Sequence, residues 1–296
     1  MSPLRTGLPT ALLAALLGTG TGVAQDSEPA CRDATAELDA DFEAYLGALN
    51  SPDLCLTAET FTENELDWRL ITVRHRSEPG PLWAVPHDEE DEAFAGALYA
   101  VQRYGGAAVI VENGEQRLVG GFDPNHLFAT TDSAAETCET VGTLSPRYVE
   151  AFLRAWNPAF PVIGLHSNWD GHNEAGGLGT ISVYRDDDKM RPFPSEAATD
   201  RFADEDTVAM LVGRELPEDN ANSAAAVSWL NARGVHVIFR HVTEENNGCT
   251  LADYLTLNEL GFYINLEVER GDFDTQPQLI DRAIEFLESA AFTGLL

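Results

Sequence analysis

Leu82-Trp83-Ala84-Val85-Pro86-His87-Asp88-Glu89-Glu90 is the stretch that decides how this chain folds. Four apolar residues and a proline run into an acidic start, then into a stretch of helical period over 91–104, and a second apolar run follows over 107–112. Strand, crossover helix, strand is the alternation from which an α/β sheet is built.

The same alternation extends outward from Trp68. Strands are expected over 70–75, 82–86, 107–112, 116–119, 161–165, 180–184, 208–212, 235–239 and 262–268, with helices over 91–104, 146–156, 223–233, 251–260 and 276–290. Upstream, Leu38, Phe42, Tyr45, Leu46 and Leu49 recur at helical spacing over 34–49, which predicts a peripheral helix stopped by Asn50-Ser51-Pro52. Residues 186–206 and 243–248 read as loops bordering a site.

Composition narrows the function. The 296 residues hold 18 Lys and Arg against 49 Asp and Glu, a net charge of −31, and Lys189 is the only lysine. Such a field repels phosphate backbones and anionic lipid, so neither nucleic acid nor a membrane surface is an expected partner, and it favours a monomer. Arg5, the Leu/Ala-rich run over 8–17 and the small residues Gly22-Val23-Ala24 read as a secretory signal peptide over 1–24. A soluble, secreted or periplasmic protein without a membrane anchor is expected, with an N-terminal helical extension over 25–67 and a catalytic domain over 68–296.

Cys31, Cys55, Cys138 and Cys249 form no Cys-x-x-Cys pair, so two disulfides are expected in an oxidising compartment. Of three connectivities, Cys31 with Cys55 is favoured because the two bracket a helical segment, which leaves Cys138 with Cys249.

The chemistry concentrates at strand ends, where open α/β sheets place their ligands. His87 ends one strand, and Glu90, three residues on, can swing back toward it. The acidic run could equally cap the following helix through its dipole. A second strand, Pro161-Val162-Ile163-Gly164-Leu165, also ends in histidine, His166. His87, Glu90 and His166 together make a two-histidine, one-carboxylate set with the composition of catalytic zinc. His172 is a competing ligand in a glycine-rich segment. In the last strand, period-two alternation puts Asn265, Glu267 and Glu269 on one face, and Glu267, the deeper glutamate, is the candidate base. On an exposed edge strand both glutamates would simply be solvated. No Gly-x-Ser-x-Gly elbow, phosphate loop or His-Glu-x-x-His helix is present.

His-x-x-Glu after an early strand, Asp123-Pro124-Asn125, Leu165-His166-Ser167-Asn168 and Asn265-Leu266-Glu267 resemble, in residue type and order, the zinc carboxypeptidase-like superfamily. That superfamily includes digestive-type carboxypeptidases, murein peptide amidases and the succinylglutamate desuccinylase and aspartoacylase group. The resemblance covers 70–290 and implies a three-layer α/β/α fold around a mixed, mostly parallel sheet. It also implies Zn2+ held by His87, Glu90 and His166, with Glu267 as general base and proton shuttle.

One position departs from the pattern. Where many relatives carry Asn-Arg to grip a terminal carboxylate, this chain has Asn125-His126, and imidazole lacks arginine's planar, permanently charged fork. Asn125 and His126 remain candidates for substrate binding, and Arg117 or Arg240 could supply the missing charge. The expected function is an exported zinc hydrolase cleaving an amide in a peptide, of carboxypeptidase or peptidoglycan-peptide amidase type. The alternatives are a deacylase of N-acyl amino acids and a non-catalytic binding protein that keeps the fold.

Overall fold

The computed structural model describes residues 30–32, 40–138, 143–169, 181–184 and 189–293. The expected signal peptide, His172 and the glycine-rich segment around it lie outside these residues.

In chain order the elements are α1 (Ala40–Ala44), α2 (Leu46–Leu49), β1 (Leu54–Glu63), β2 (Leu66–His75), β3 (Leu82–Val85), α3 (Asp91–Tyr104), β4 (Ala107–Val111), α4 (Asp132–Thr137) and α5 (Pro146–Leu153). They continue with β5 (Val162–Asn168), β6 (Met190–Phe193), β7 (Val208–Gly213), α6 (Ala221–Asn231), β8 (His236–His241), α7 (Leu251–Leu257), β9 (Tyr263–Glu269), α8 (Thr275–Leu287) and α9 (Ala290–Thr293). The strands form one nine-stranded sheet in the order β1-β2-β4-β3-β5-β9-β7-β8-β6.

Period-two alternation sorts the core to the two faces of this sheet. Trp83, Val85, Ile163, Leu165, Ile264 and Leu266 join one apolar cluster with residues of α3, α6 and α8. Leu82, Ala84, Val162 and Tyr263 join another with residues of α5 and α7. The α/β class and the mixed sheet are as expected. The sheet is not mostly parallel, however: β3–β4, β3–β5, β5–β9 and β7–β8 pair parallel, while β1–β2, β2–β4, β7–β9 and β6–β8 pair antiparallel.

The antiparallel pairs arise largely from strands that periodicity did not reveal. β1 falls in the segment expected to be a helical extension, and it pairs with β2 along its whole length. Asn64 and Glu65, both at positive φ (55° and 62°), close this hairpin with the two left-handed residues that a tight turn requires. β6 lies inside an expected loop, and its Pro192 fits an edge strand, where one backbone donor is dispensable. Two expected strands do not form: 116–119 contributes only the isolated bridge Val119–Phe122, and residues 181–184 are irregular and turn. Both expected disulfides are present, Cys31–Cys55 and Cys138–Cys249, with Cα separations of 5.1 and 5.3 Å. No helix among the described residues is long and apolar enough to cross a membrane.

Candidate metal centre

β3, β5 and β9 bring the predicted residues together from three neighbouring strands. His87 follows β3 by two residues and is buried, and Glu90 is the N-cap residue of α3. Its side chain makes no capping hydrogen bond; Asp91 and Glu92 supply the negative charge that the helix N-terminus favours. This releases the Glu90 carboxylate for the site. His166 lies in β5 directly opposite Glu267 of β9, so parallel register alone sets ligand candidate beside base candidate. β9 is central in the sheet, not an edge, and Glu267 is buried.

The donor atoms converge. His87 Nδ1 is 2.8 Å from Glu90 Oε1, His166 Nδ1 is 3.0 Å from Glu90 Oε2, and the two Nδ1 atoms are 3.2 Å apart. Tetrahedral zinc with bonds of about 2.0–2.1 Å spaces its ligand atoms roughly 3.3 Å apart, so this set fits the ion. A second feature points the same way. The outer nitrogen of His87, Nε2, meets Asp123 Oδ1 at 2.8 Å, the carboxylate partner that orients a ligating imidazole. His87, Glu90 and His166 form the one such cluster among the described residues.

Charge in this corner favours cations. Burial pulls the His87 pKa down, but the Glu90 charge and the hydrogen bonds to Asp123 and Glu90 outweigh it and raise it to about 9. Burial pushes Glu90 up, yet the two histidines hold it well below the usual carboxylate range. Its carboxylate also accepts from Arg117 Nη1 at 2.7 Å and from the Ser167 N–H at 3.1 Å. Glu267 differs from both. Burial raises its pKa, and the Asn265 amide, donating at 2.8 Å, only partly offsets that.

All eight predicted site residues line one cavity of about 300 Å³. Their partners, however, divide them. Arg117 is engaged by Glu90 and by Asp123, whose Oδ2 is 3.5 Å from Nη2. Arg240, from β8, is held by Asp253 at the other end. Asn125 lies in a short turn capped by the Asp123 side chain, and His126 Nδ1 is 2.8 Å from the Gly248 carbonyl, in the loop expected to border the site. The sequence gives no role to Asp123 and Ser167, although both stand in quoted motifs, nor to Lys189, Met210 and Tyr263, which also line the cavity.

No family model matches the chain, and no curated protein matches it. Among solved structures, the chain is similar to a protein described as a metallopeptidase from Shewanella amazonensis, at 12% identity over 78% of this chain and 85% of that one, with a TM-score of 0.45. It is similar to a metallo-carboxypeptidase from Pseudomonas aeruginosa at 14% identity over 87% and 70%, with a TM-score of 0.45. An aspartoacylase family protein from Mesorhizobium loti matches at 15% identity over 81% and 68%, with a TM-score of 0.40. At these scores and identities the likeness carries no argument about this chain, and the chemistry rests on its own residues.

Proposed function

We propose that the chain is an exported zinc-dependent hydrolase of the carboxypeptidase-like superfamily, a three-layer α/β/α enzyme that cleaves an amide bond in a peptide. In this reading His87, Glu90 and His166 hold the ion and Glu267 is the general base. The observation that carries it is the convergence of two imidazole Nδ1 atoms and one carboxylate on a cavity that also holds a buried acid of raised pKa.

A zinc ion held by this set would acidify a water and polarise a carbonyl oxygen. Glu267 would take a proton from the attacking water as a C–O bond forms at the carbonyl carbon. It returns the proton to the nitrogen as the C–N bond breaks, so one carboxyl serves as base and then as acid. Asn265 orients the Glu267 carboxylate through its 2.8 Å hydrogen bond. Arg117 fixes Glu90 and Asp123 and presents positive charge at the cavity wall, and Asn125 and His126 position the substrate. Two disulfides support export to an oxidising compartment.

A second reading, deacylation of N-acyl amino acids, draws on His126. This imidazole, tied at 2.8 Å to the Gly248 carbonyl, stands where the resemblance implies the arginine that grips a terminal carboxylate.

The test is turnover of paired peptide and N-acyl-amino-acid substrates by zinc-loaded protein, beside Glu267→Gln. Loss of a general base is expected to cost about 10²–10⁴-fold in rate. An unchanged rate in Glu267→Gln contradicts the assignment, and no turnover of any amide favours the binding-protein alternative.

A further inference from the structure

Arg117 reaches the metal cluster from a loop that the turn carrying His87 and Glu90 itself holds. Asp88 accepts from the backbone N–H groups of Asn113 and Glu115 at 2.7 and 2.8 Å, and the Asn113 amide donates to the Leu118 carbonyl at 3.0 Å. The loop after β4 is thereby fixed to that turn. Arg117 Nη1 donates to Glu90 Oε1 at 2.7 Å, the oxygen that also faces His87 Nδ1 at 2.8 Å. The other oxygen, Oε2, meets His166 Nδ1 at 3.0 Å and the Ser167 N–H at 3.1 Å. Four donor groups share one carboxylate, and one of them carries a permanent positive charge.

Arg117 is the donor placed to yield. The histidines are ligand candidates themselves, and Ser167 offers a main-chain N–H within β5. Arg117 Nε is buried with no hydrogen-bond partner among the described residues, so the terminal nitrogens alone hold the guanidinium here. A second carboxylate stands beside it: Glu89 Oε1 is 3.9 Å from the same Nη1, just beyond hydrogen-bond reach. Arg270 keeps Glu89 in place, its Nη2 donating to the Glu89 carbonyl at 2.7 Å and its Nη1 lying 3.7 Å from Oε2. Nη1 need move only about 1 Å to exchange Glu90 for Glu89, and Asp123 Oδ2, 3.5 Å from Nη2, remains at hand.

We propose that Arg117 tunes the metal cluster: it competes with the ion for Glu90 and so weakens zinc binding, and Glu89 relieves that competition by drawing the guanidinium away. Like charges repel strongly in a buried site, and a dication and a guanidinium both seek the Glu90 carboxylate. Preorganisation of Glu90 by Arg117 would act in the opposite direction, but the Ser167 N–H and the two histidines hold that carboxylate without it. The inference rests on the metal-site part of the proposed function and not on the reaction catalysed.

Zinc affinity, measured by competition against a chelator of known affinity, tests it without any substrate. Arg117→Gln keeps a hydrogen-bonding group but no charge, and is expected to tighten zinc by about tenfold or more, whereas Arg117→Lys keeps the charge and stays near wild type. Glu89→Gln is expected to weaken zinc by about threefold or more, and this effect should vanish in the Arg117→Gln background, because it acts through Arg117. The zinc-induced rise in Tm should be larger in Arg117→Gln than in wild type. Should Arg117→Gln fail to fold, Glu89→Gln carries the test, and unchanged affinity there overturns the inference. Wild-type or weaker affinity in Arg117→Gln, equal tightening by Arg117→Lys, or a Glu89→Gln effect undiminished in the double variant also overturns it, and leaves the metal site standing. Folded proteins that all fail to bind zinc overturn the metal site and the inference together.

Discussion

His87 is gripped from both sides by carboxylates: its Nδ1 faces Glu90 Oε1 and its Nε2 faces Asp123 Oδ1, each at 2.8 Å. The second contact fixes the ring and leaves Nδ1 as the nitrogen turned to His166 and the cavity. Asp123→Asn is therefore expected to weaken zinc retention by about 10–100-fold while leaving the fold intact. Competition against a chelator of known affinity measures this, and wild-type retention in the variant contradicts the orienting role.

Asn265 acts on Glu267 through a hydrogen bond that favours the charged carboxylate. Burial already raises the Glu267 pKa, and Asn265→Ala removes one of the effects that lower it. A base must be deprotonated to work, so the acid limb of the kcat/KM profile should move to higher pH in the variant. A limb that stays in place or moves to lower pH would separate Glu267 from the titration.

Gly164 leaves room for two cavity residues. A Cβ there would run into the Tyr263 hydroxyl and lie 2.7 Å from Asn265 Oδ1. Gly164→Ala is expected to destabilise the protein by about 1–3 kcal/mol and to lower kcat/KM by shifting Asn265, with zinc content retained. Urea unfolding, kcat/KM and metal analysis on the same preparation check this.

The Cys138–Cys249 bridge joins residues 111 apart in sequence and anchors the end of the loop that carries Gly248. Replacing both cysteines with serine should cost about 2–5 kcal/mol. It should also raise KM more than it lowers kcat, because the anchored loop meets His126 and Arg240, not the metal cluster. A lowered kcat at unchanged KM would contradict that division.

Much of this is legible in the sequence. α3 begins and ends where the apolar period predicts, because Ala93, Ala97 and Val101, with Phe94 and Leu98, are buried along a broad helical face and glycines at positive φ, Gly105 and Gly106, terminate it. His87 and His166 were readable because each closes an apolar run buried at the sheet centre. β1 and β6 were not. β1 alternates imperfectly and closes with Asn64-Glu65 in place of an Asn-Gly turn, and β6 is a four-residue edge strand interrupted by proline. In the site, residue types gave the ligand candidates, but the division of the arginines could not be read. Only the folded chain sets Arg117 against Glu90 and Arg240 against Asp253, 13 residues away in sequence and in a different element.

The central claim is that His87, Glu90 and His166 form a zinc site, and elemental analysis of the purified protein beside His87→Ala and His166→Ala tests it most directly. Near-stoichiometric zinc in the wild type, lost from both folded variants, is the predicted result. A folded wild type that stays metal-free after zinc is supplied, or variants that keep the full complement, would contradict it.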